Sequence, residues 1–147
     1  MPYEFKLQRR VEFFETDAAG IVHFSNFFRY MESVEHAFFR SLGHSVMMRH
    51  LNPPIGFPRV HVACDYTSPL RFEDLVEIHL LVREKKPKVL SYLVKFINLS
   101  ANPPVEAARG RLTVVCTTHT PDGKLTSTRI PQEIADQIEV APAELLA

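Results

Sequence analysis

Only one stretch of this chain carries a sustained helical pattern, and almost everything after it alternates with the period of a strand. Phe27, Tyr30, Met31, Val34, Phe38 and Leu42 recur at spacings of three and four, with Arg29, Glu32, Ser33, His36 and Arg40 on the opposite side. Phe28 and Phe39 widen the apolar stripe. A helix of about 17 residues, roughly 25 Å long, is therefore expected to be wrapped on more than one side. Ser25 or Asn26 offers a side-chain oxygen to its first amides, and Gly43 is placed for a left-handed cap at its end.

The remaining pattern decides what can wrap it. Tyr3, Phe5, Leu7, Val11 and Phe13 mark a first strand, closed by turn residues from Glu15 to Gly20. Beyond the helix, 44–58 reads as a surface segment broken by Asn52, Pro53, Pro54, Gly56 and Pro58, with a short helical turn from Val46 to Leu51. Three alternating runs follow: Val60 to Tyr66, Val76 to Val82 and Leu90 to Phe96. A last long strand is expected from about Val105 to His119, with Ala108, Gly110, Leu112, Val114 and Cys116 on one face. The breaks at Lys85 to Lys88 and Ser100 to Pro104 are of hairpin length, so neighbouring strands are antiparallel. Pro121 to Lys124 is another turn, Pro131 begins a short helix reaching about Val140, and 141–147 reads as a tail. Residues 1–147 are thus expected to form one α+β domain, a curved antiparallel five-stranded sheet around one long central helix. Leu81, Leu93, Ile97 and Val115 alternate onto the other face, where a second subunit would cover them.

Composition excludes several classes of function. Seventeen basic and seventeen acidic residues cancel, so the overall field gives no reason to expect a nucleic-acid partner. No apolar run approaches the roughly 18 to 20 residues of a membrane span, so the expectation is a cytoplasmic protein with no membrane partner. Cys64 and Cys116 sit in apolar runs and read as free core thiols. His61, His79 and His119 alternate along strands with no metal-ligand spacing, and neither a metal nor another cofactor is expected.

The chemistry concentrates between Thr16 and the start of the helix. A carboxylate, Asp17, a turn relaxed by Gly20, and a helix N-terminus lie within about a dozen residues. By itself Asp17 also suits a plain turn or capping role. The string Val11-Glu12-Phe13-Phe14-Glu15-Thr16-Asp17-Ala18-Ala19-Gly20-Ile21-Val22-His23-Phe24-Ser25-Asn26-Phe27-Phe28-Arg29-Tyr30 resembles the signature of hotdog-fold acyl-CoA thioesterases of the 4-hydroxybenzoyl-CoA type. It is also similar to that of 1,4-dihydroxy-2-naphthoyl-CoA thioesterases, and Asp65 to Asp74 resembles the family's next segment.

The resemblance implies an acyl-CoA substrate, an essential acid at Asp17, and a charge-stabilising amide at Phe24 in the turn from Gly20. Asp17 would attack the thioester carbon or deprotonate a water, and the sequence does not choose. It further implies ring-hydroxyl recognition at Glu32 and CoA phosphates against Lys85, Lys86 and Lys88, while His23 and Phe27 suit by their own position either substrate contacts or, as a helix-start His and a core aromatic, a structural role. Phe57 stands beside Pro58 where the family has a small hydroxyl residue, which implies a more apolar pocket. Ser25 and Asn26 are expected to be helix caps, since no nucleophile elbow accompanies them. Homodimers assembling into a homotetramer are expected. The competing readings are a hotdog dehydratase or hydratase using His23 with Glu32, and a non-catalytic acyl-CoA binding module.

Overall fold

The computed structural model describes residues 2–147. In chain order it has β1 (Glu4–Arg10), a 3-10 turn (Phe13–Glu15), α1 (Asn26–Ser41), β2 (Arg59–Tyr66), β3 (Leu75–Lys85), β4 (Val89–Asn98) and β5 (Val105–Val115). The short elements β6 (Thr117–His119), β7 (Leu125–Ser127), α2 (Gln132–Ala135) and α3 (Ala143–Leu146) complete it. Five strands form one antiparallel sheet in the order β1-β3-β4-β5-β2.

Register aligns the apolar layers. Leu80 lies opposite Phe5 and Val94, and Ile78 opposite Leu7 and Phe96, so one face presents a continuous apolar surface. Against it α1 buries Phe27, Tyr30, Met31, Val34, Phe38 and Phe39. Each large side chain so buried stabilises by about 1.5–3 kcal/mol. The helix stops where Gly43, at φ 88°, takes a left-handed conformation. There the Gly43 N–H donates to Arg40 O and the His44 N–H to Phe39 O, both at 3.0 Å.

Several boundaries differ from the sequence pattern. Strand β1 stops at Arg10, because the 3-10 turn takes over and leaves Phe13 and Phe14 exposed at 73% and 79%. The last strand breaks at Cys116, whose N–H donates to Lys88 O at 2.7 Å. Thr117–His119 then pairs with β7 in a separate hairpin. The 44–58 segment forms turns rather than a helix, and it is not all surface, since Met48 is buried in the main core. After Pro131 the helix runs only from Gln132 to Ala135.

The outer face of the sheet is covered differently from the sequence expectation. Leu81 and Leu93 are buried by the chain's own end, packed with Tyr3, Ala141, Leu145 and Leu146. The Ala141 N–H donates to Val82 O at 2.8 Å and Lys95 Nζ to Leu145 O at 2.7 Å. The segment expected to be a tail is therefore part of the packed structure. Deleting 141–147 should uncover both leucines and destabilise the fold by about 3 kcal/mol. A urea titration of the truncated chain checks this, and an unchanged midpoint would count against the packing described.

Candidate active site

The approach to Asp17 is fixed by a buried carboxylate two residues earlier. Glu15 is 5% exposed. Its Oε2 accepts Arg9 Nη2 at 2.6 Å, and its Oε1 accepts the Tyr30 hydroxyl at 2.9 Å and the Glu12 N–H at 2.8 Å. Its backbone carbonyl accepts the Asn26 side-chain amide at 2.7 Å and the His23 N–H at 2.9 Å. One residue thus ties the end of β1, the connecting turn and the first turns of α1 together. Burial, followed by the Glu15 contacts, raises the Tyr30 hydroxyl well above its ordinary value and keeps it a donor.

Between these anchors the chain makes a tight loop. The Asp17 N–H donates to Ile21 O, the Gly20 N–H donates to Asp17 O, and Gly20 holds φ 77°. Asp17 Oδ1 accepts the Ala19 N–H at 2.8 Å, a turn brace that leaves its other oxygen without a partner among the described residues.

The helix start uses neither expected cap. Ser25 Oγ bonds His23 Nδ1 at 2.7 Å, and the Asn26 side chain is spent on Glu15. Instead the Asn26, Phe27 and Phe28 N–H groups bond the carbonyls of His23, Phe24 and Ser25 in a tight first turn, and Ser25 N–H reaches His23 Nδ1 at 3.3 Å. From His23 to Phe28, the Phe24 amide is the one with no acceptor among the described residues. The Tyr66 hydroxyl, pushed up to about 12 chiefly by burial and then by Cys64, donates to Phe24 O at 3.0 Å.

Two cavities flank this first turn of α1. Asp17, Val22, Phe24, Phe27, Tyr66 and Arg71 are among the residues lining one of about 580 Å³. Ser25, Phe28, Arg29, Glu32, Arg59 and Val62 are among those lining the other, of about 380 Å³. Asp17, Phe24 and Phe27 are therefore brought together, with Gly20 in the same loop, while Glu32 faces the second cavity.

A family model for the thioesterase superfamily matches residues 19–102. The chain belongs to the thioesterase superfamily. A putative esterase of Aquifex aeolicus is 41% identical over 85 residues, covering 57% of this chain and 63% of that protein. A 1,4-dihydroxy-2-naphthoyl-CoA hydrolase of Prochlorococcus marinus is 32% identical over 97 residues, covering 61% of this chain and 63% of that one. The matches thus span just under two thirds of the length of these curated relatives. A gentisyl-coenzyme A thioesterase structure superimposes with a TM-score of 0.75 at 32% identity, covering 88% of this chain and 98% of the other. The sheet wrapped on one helix is the hotdog fold.

Of the other residues expected at the site, Phe57 and the three lysines lie away from this loop, while His23 stays within it. Phe57 is buried against Phe39, with ring centroids 5.3 Å apart, and lines a third cavity with Ile55 and Leu125. His23 stacks on Phe24 at 4.5 Å but pairs with Ser25, not with Glu32, so the pair needed by a dehydratase is not assembled within the chain. The Lys85 to Lys88 hairpin sits at the far end of β3 from Leu75, near which the loop attaches, roughly 30 Å along the strand. Lys85 Nζ there donates to the Ala135 and Ile138 carbonyls, and Lys86 pairs with Glu84 at 3.5 Å.

Sequence reasoning missed Glu15, Tyr66 and a buried pair, Glu35 with Arg59. Glu35 is fully buried, and Arg59 Nη2 donates to its Oε1 at 2.5 Å. Its position, seven residues after Phe28 and four before Phe39, was the available signal that it lies on the widened apolar stripe. Burial raises its carboxyl above the ordinary 4.5 and outweighs Arg59, which acts the other way; Glu32 adds to the rise. The folded state then binds the proton more tightly than the unfolded state. This contribution to stability is present at low pH and is lost as pH rises from about 4.5 through the raised value. Relative to Glu35→Gln, wild-type unfolding free energy should fall over that window in urea titrations at stepped pH. A rising difference would show that Arg59 wins over burial.

Proposed function

We propose that this chain hydrolyses an acyl-CoA thioester to the free acid and CoA, with Asp17 as nucleophile or general base. The observation that carries the reading is the placement of the Asp17 carboxylate in one cavity with Phe24, whose amide has no acceptor among the described residues. The carbonyl oxygen takes the Phe24 N–H as negative charge develops on it, close to the positive end of α1. In the nucleophilic route the Asp17 oxygen attacks the carbonyl carbon, CoA leaves as the thiolate, and water then cleaves the mixed anhydride. In the general-base route Asp17 takes a proton from the attacking water.

An aromatic acyl group is the substrate class that fits. Two relatives are named for ring-bearing acyl groups, gentisyl and 1,4-dihydroxy-2-naphthoyl. The 380 Å³ cavity beside Ser25 and Phe28 is large enough for a substituted ring, with Glu32 and Arg29 on its wall to meet a ring hydroxyl. A thioester at the helix N-terminus reaches both cavities, since Phe24 and Phe27 face one while Ser25 and Phe28 face the other.

A second copy of the chain completes the reading. Strand β2 is a sheet edge, and Val60, Val62 and Tyr66 on it are exposed at 60%, 47% and 45%, near the exposed ring of Phe24. Homodimers formed there would pair into a homotetramer, and a neighbouring copy would bring Lys86 and Lys88 to the nucleotide.

Asp17→Asn should lower CoA release from benzoyl-CoA by about 10² or more, read as thiol appearance. Near-normal turnover would sink the assignment. Light scattering should give a multiple of the chain mass, and Val62→Arg should shift the protein toward monomer and reduce turnover with it. A wild-type monomer with full activity would remove the second copy from the site.

A further inference from the structure

Arg59 stands where two cavities meet. It lines the 380 Å³ space beside α1 and also the cavity of about 580 Å³ between the 46–58 segment and the β6–β7 hairpin. Among the described residues, no other lines both. The second cavity is walled largely by apolar groups, among them Val46, Met47, Ile55, Phe57 and Leu125.

The guanidinium at this junction is not a loose surface cation. Arg59 Nη2 is bonded to Glu35 at 2.5 Å and Nη1 to the Phe57 carbonyl at 3.2 Å. Glu35 comes from α1 and is fully buried, so the clamp reaches from helix to strand through the core. A planar guanidinium carries five N–H donors, and these two bonds leave others to meet an acceptor.

We propose that Arg59, clamped by Glu35, is the end wall of the acyl pocket and limits both the length and the polarity of the acyl group admitted. This rests on the acyl-CoA hydrolase reading above. A ring ending in a hydroxyl or carbonyl oxygen stops at Arg59 and accepts a hydrogen bond there. An alkyl chain long enough to reach the wall strips water from the ion pair and returns no hydrogen bond, so it is rejected. Without the wall, the two cavities join and a long apolar chain continues past Phe57 toward Leu125.

The test compares wild type with Arg59→Ala/Glu35→Gln, which removes the wall without leaving a buried carboxylate unpaired. A second double variant, Arg59→Ala/Glu35→Leu, opens the wall in the same way and fills the carboxylate's place with an apolar side chain, since apolar replacement of a buried ion pair is often tolerated. Thiol release is measured for benzoyl-CoA and dodecanoyl-CoA, and calorimetry measures binding of the matching unhydrolysable S-phenacyl and S-dodecyl CoA thioethers. The dodecanoyl-to-benzoyl ratio of kcat/KM is expected to rise at least about tenfold in whichever variant folds, mainly through KM, with the same shift in thioether affinity. An unchanged ratio in a folded variant overturns the end wall while leaving the hydrolase reading intact. Wild type that binds the thioethers but releases no CoA overturns the hydrolase reading, and the affinity ratio still decides the end wall. Binding of neither thioether overturns both.

Discussion

The buried carboxylate of Glu15 is the constraint on which the rest of this molecule depends. It accepts from Arg9 at the end of β1, from the Glu12 backbone, and from Tyr30 on α1, and its own carbonyl holds Asn26 and His23. Hydrogen bonds to a charged group contribute about 1.5–3 kcal/mol each, and a buried carboxylate deprived of its partners is costly. The Arg9 guanidinium also lies 4.8 Å from the Tyr30 ring centroid, which adds a cation–π contact to the same knot. With the loop pinned at Glu15 and again where the Val22 N–H meets Leu70 O, the intervening residues have little freedom in where they hold Asp17.

The economy of the helix start follows from that anchoring. A cap side chain would leave several amides open to any anion. Here the tight turn spends the Asn26, Phe27 and Phe28 amides on its own carbonyls, the Ser25 amide meets the His23 ring, and the Ser25 and Asn26 side chains are engaged elsewhere. The Phe24 amide is left without an acceptor among the described residues, and the Tyr66 hydroxyl holds the carbonyl of the same residue. Local hydrogen bonding thereby narrows a diffuse positive helix end to one donor beside Asp17.

A second buried acid does a different task on the same helix. Glu35 is fully buried, and Arg59 at the start of the edge strand reaches in to meet it. Its Oε2 and the Tyr92 hydroxyl are both buried with no hydrogen-bond partner among the described residues. Burial raises both groups toward their neutral forms, Tyr92 with Glu35 as a further cause. Helix and edge strand are thus joined by a pair whose cost is set by desolvation, at the junction of two cavities.

Periodicity and local turn chemistry carry the helix, the phase of β3, β4 and β5, their antiparallel pairing as neighbours, and the turn after Asp17, whereas the placing of β1 beside β3 and of β2 beyond β5 comes only with the fold. Val76, Ile78, Leu80 and Val82, and likewise Leu90, Tyr92, Val94 and Phe96, are the buried faces their alternation predicts. Where partners distant in sequence meet is a matter of tertiary packing. Arg59 lies 24 residues from Glu35, Ala141 is far along the chain from Val82, and Tyr66 lies 42 residues from the Phe24 carbonyl it holds. A polar residue's role at such positions depends on which group burial places against it, and periodicity records only the face on which it starts. Glu15 and Glu35 therefore read as ordinary surface acids until the fold closes around them, whereas Asp17 is singled out by the resemblance of its surrounding string to a thioesterase signature, its turn chemistry alone fitting a plain turn as well.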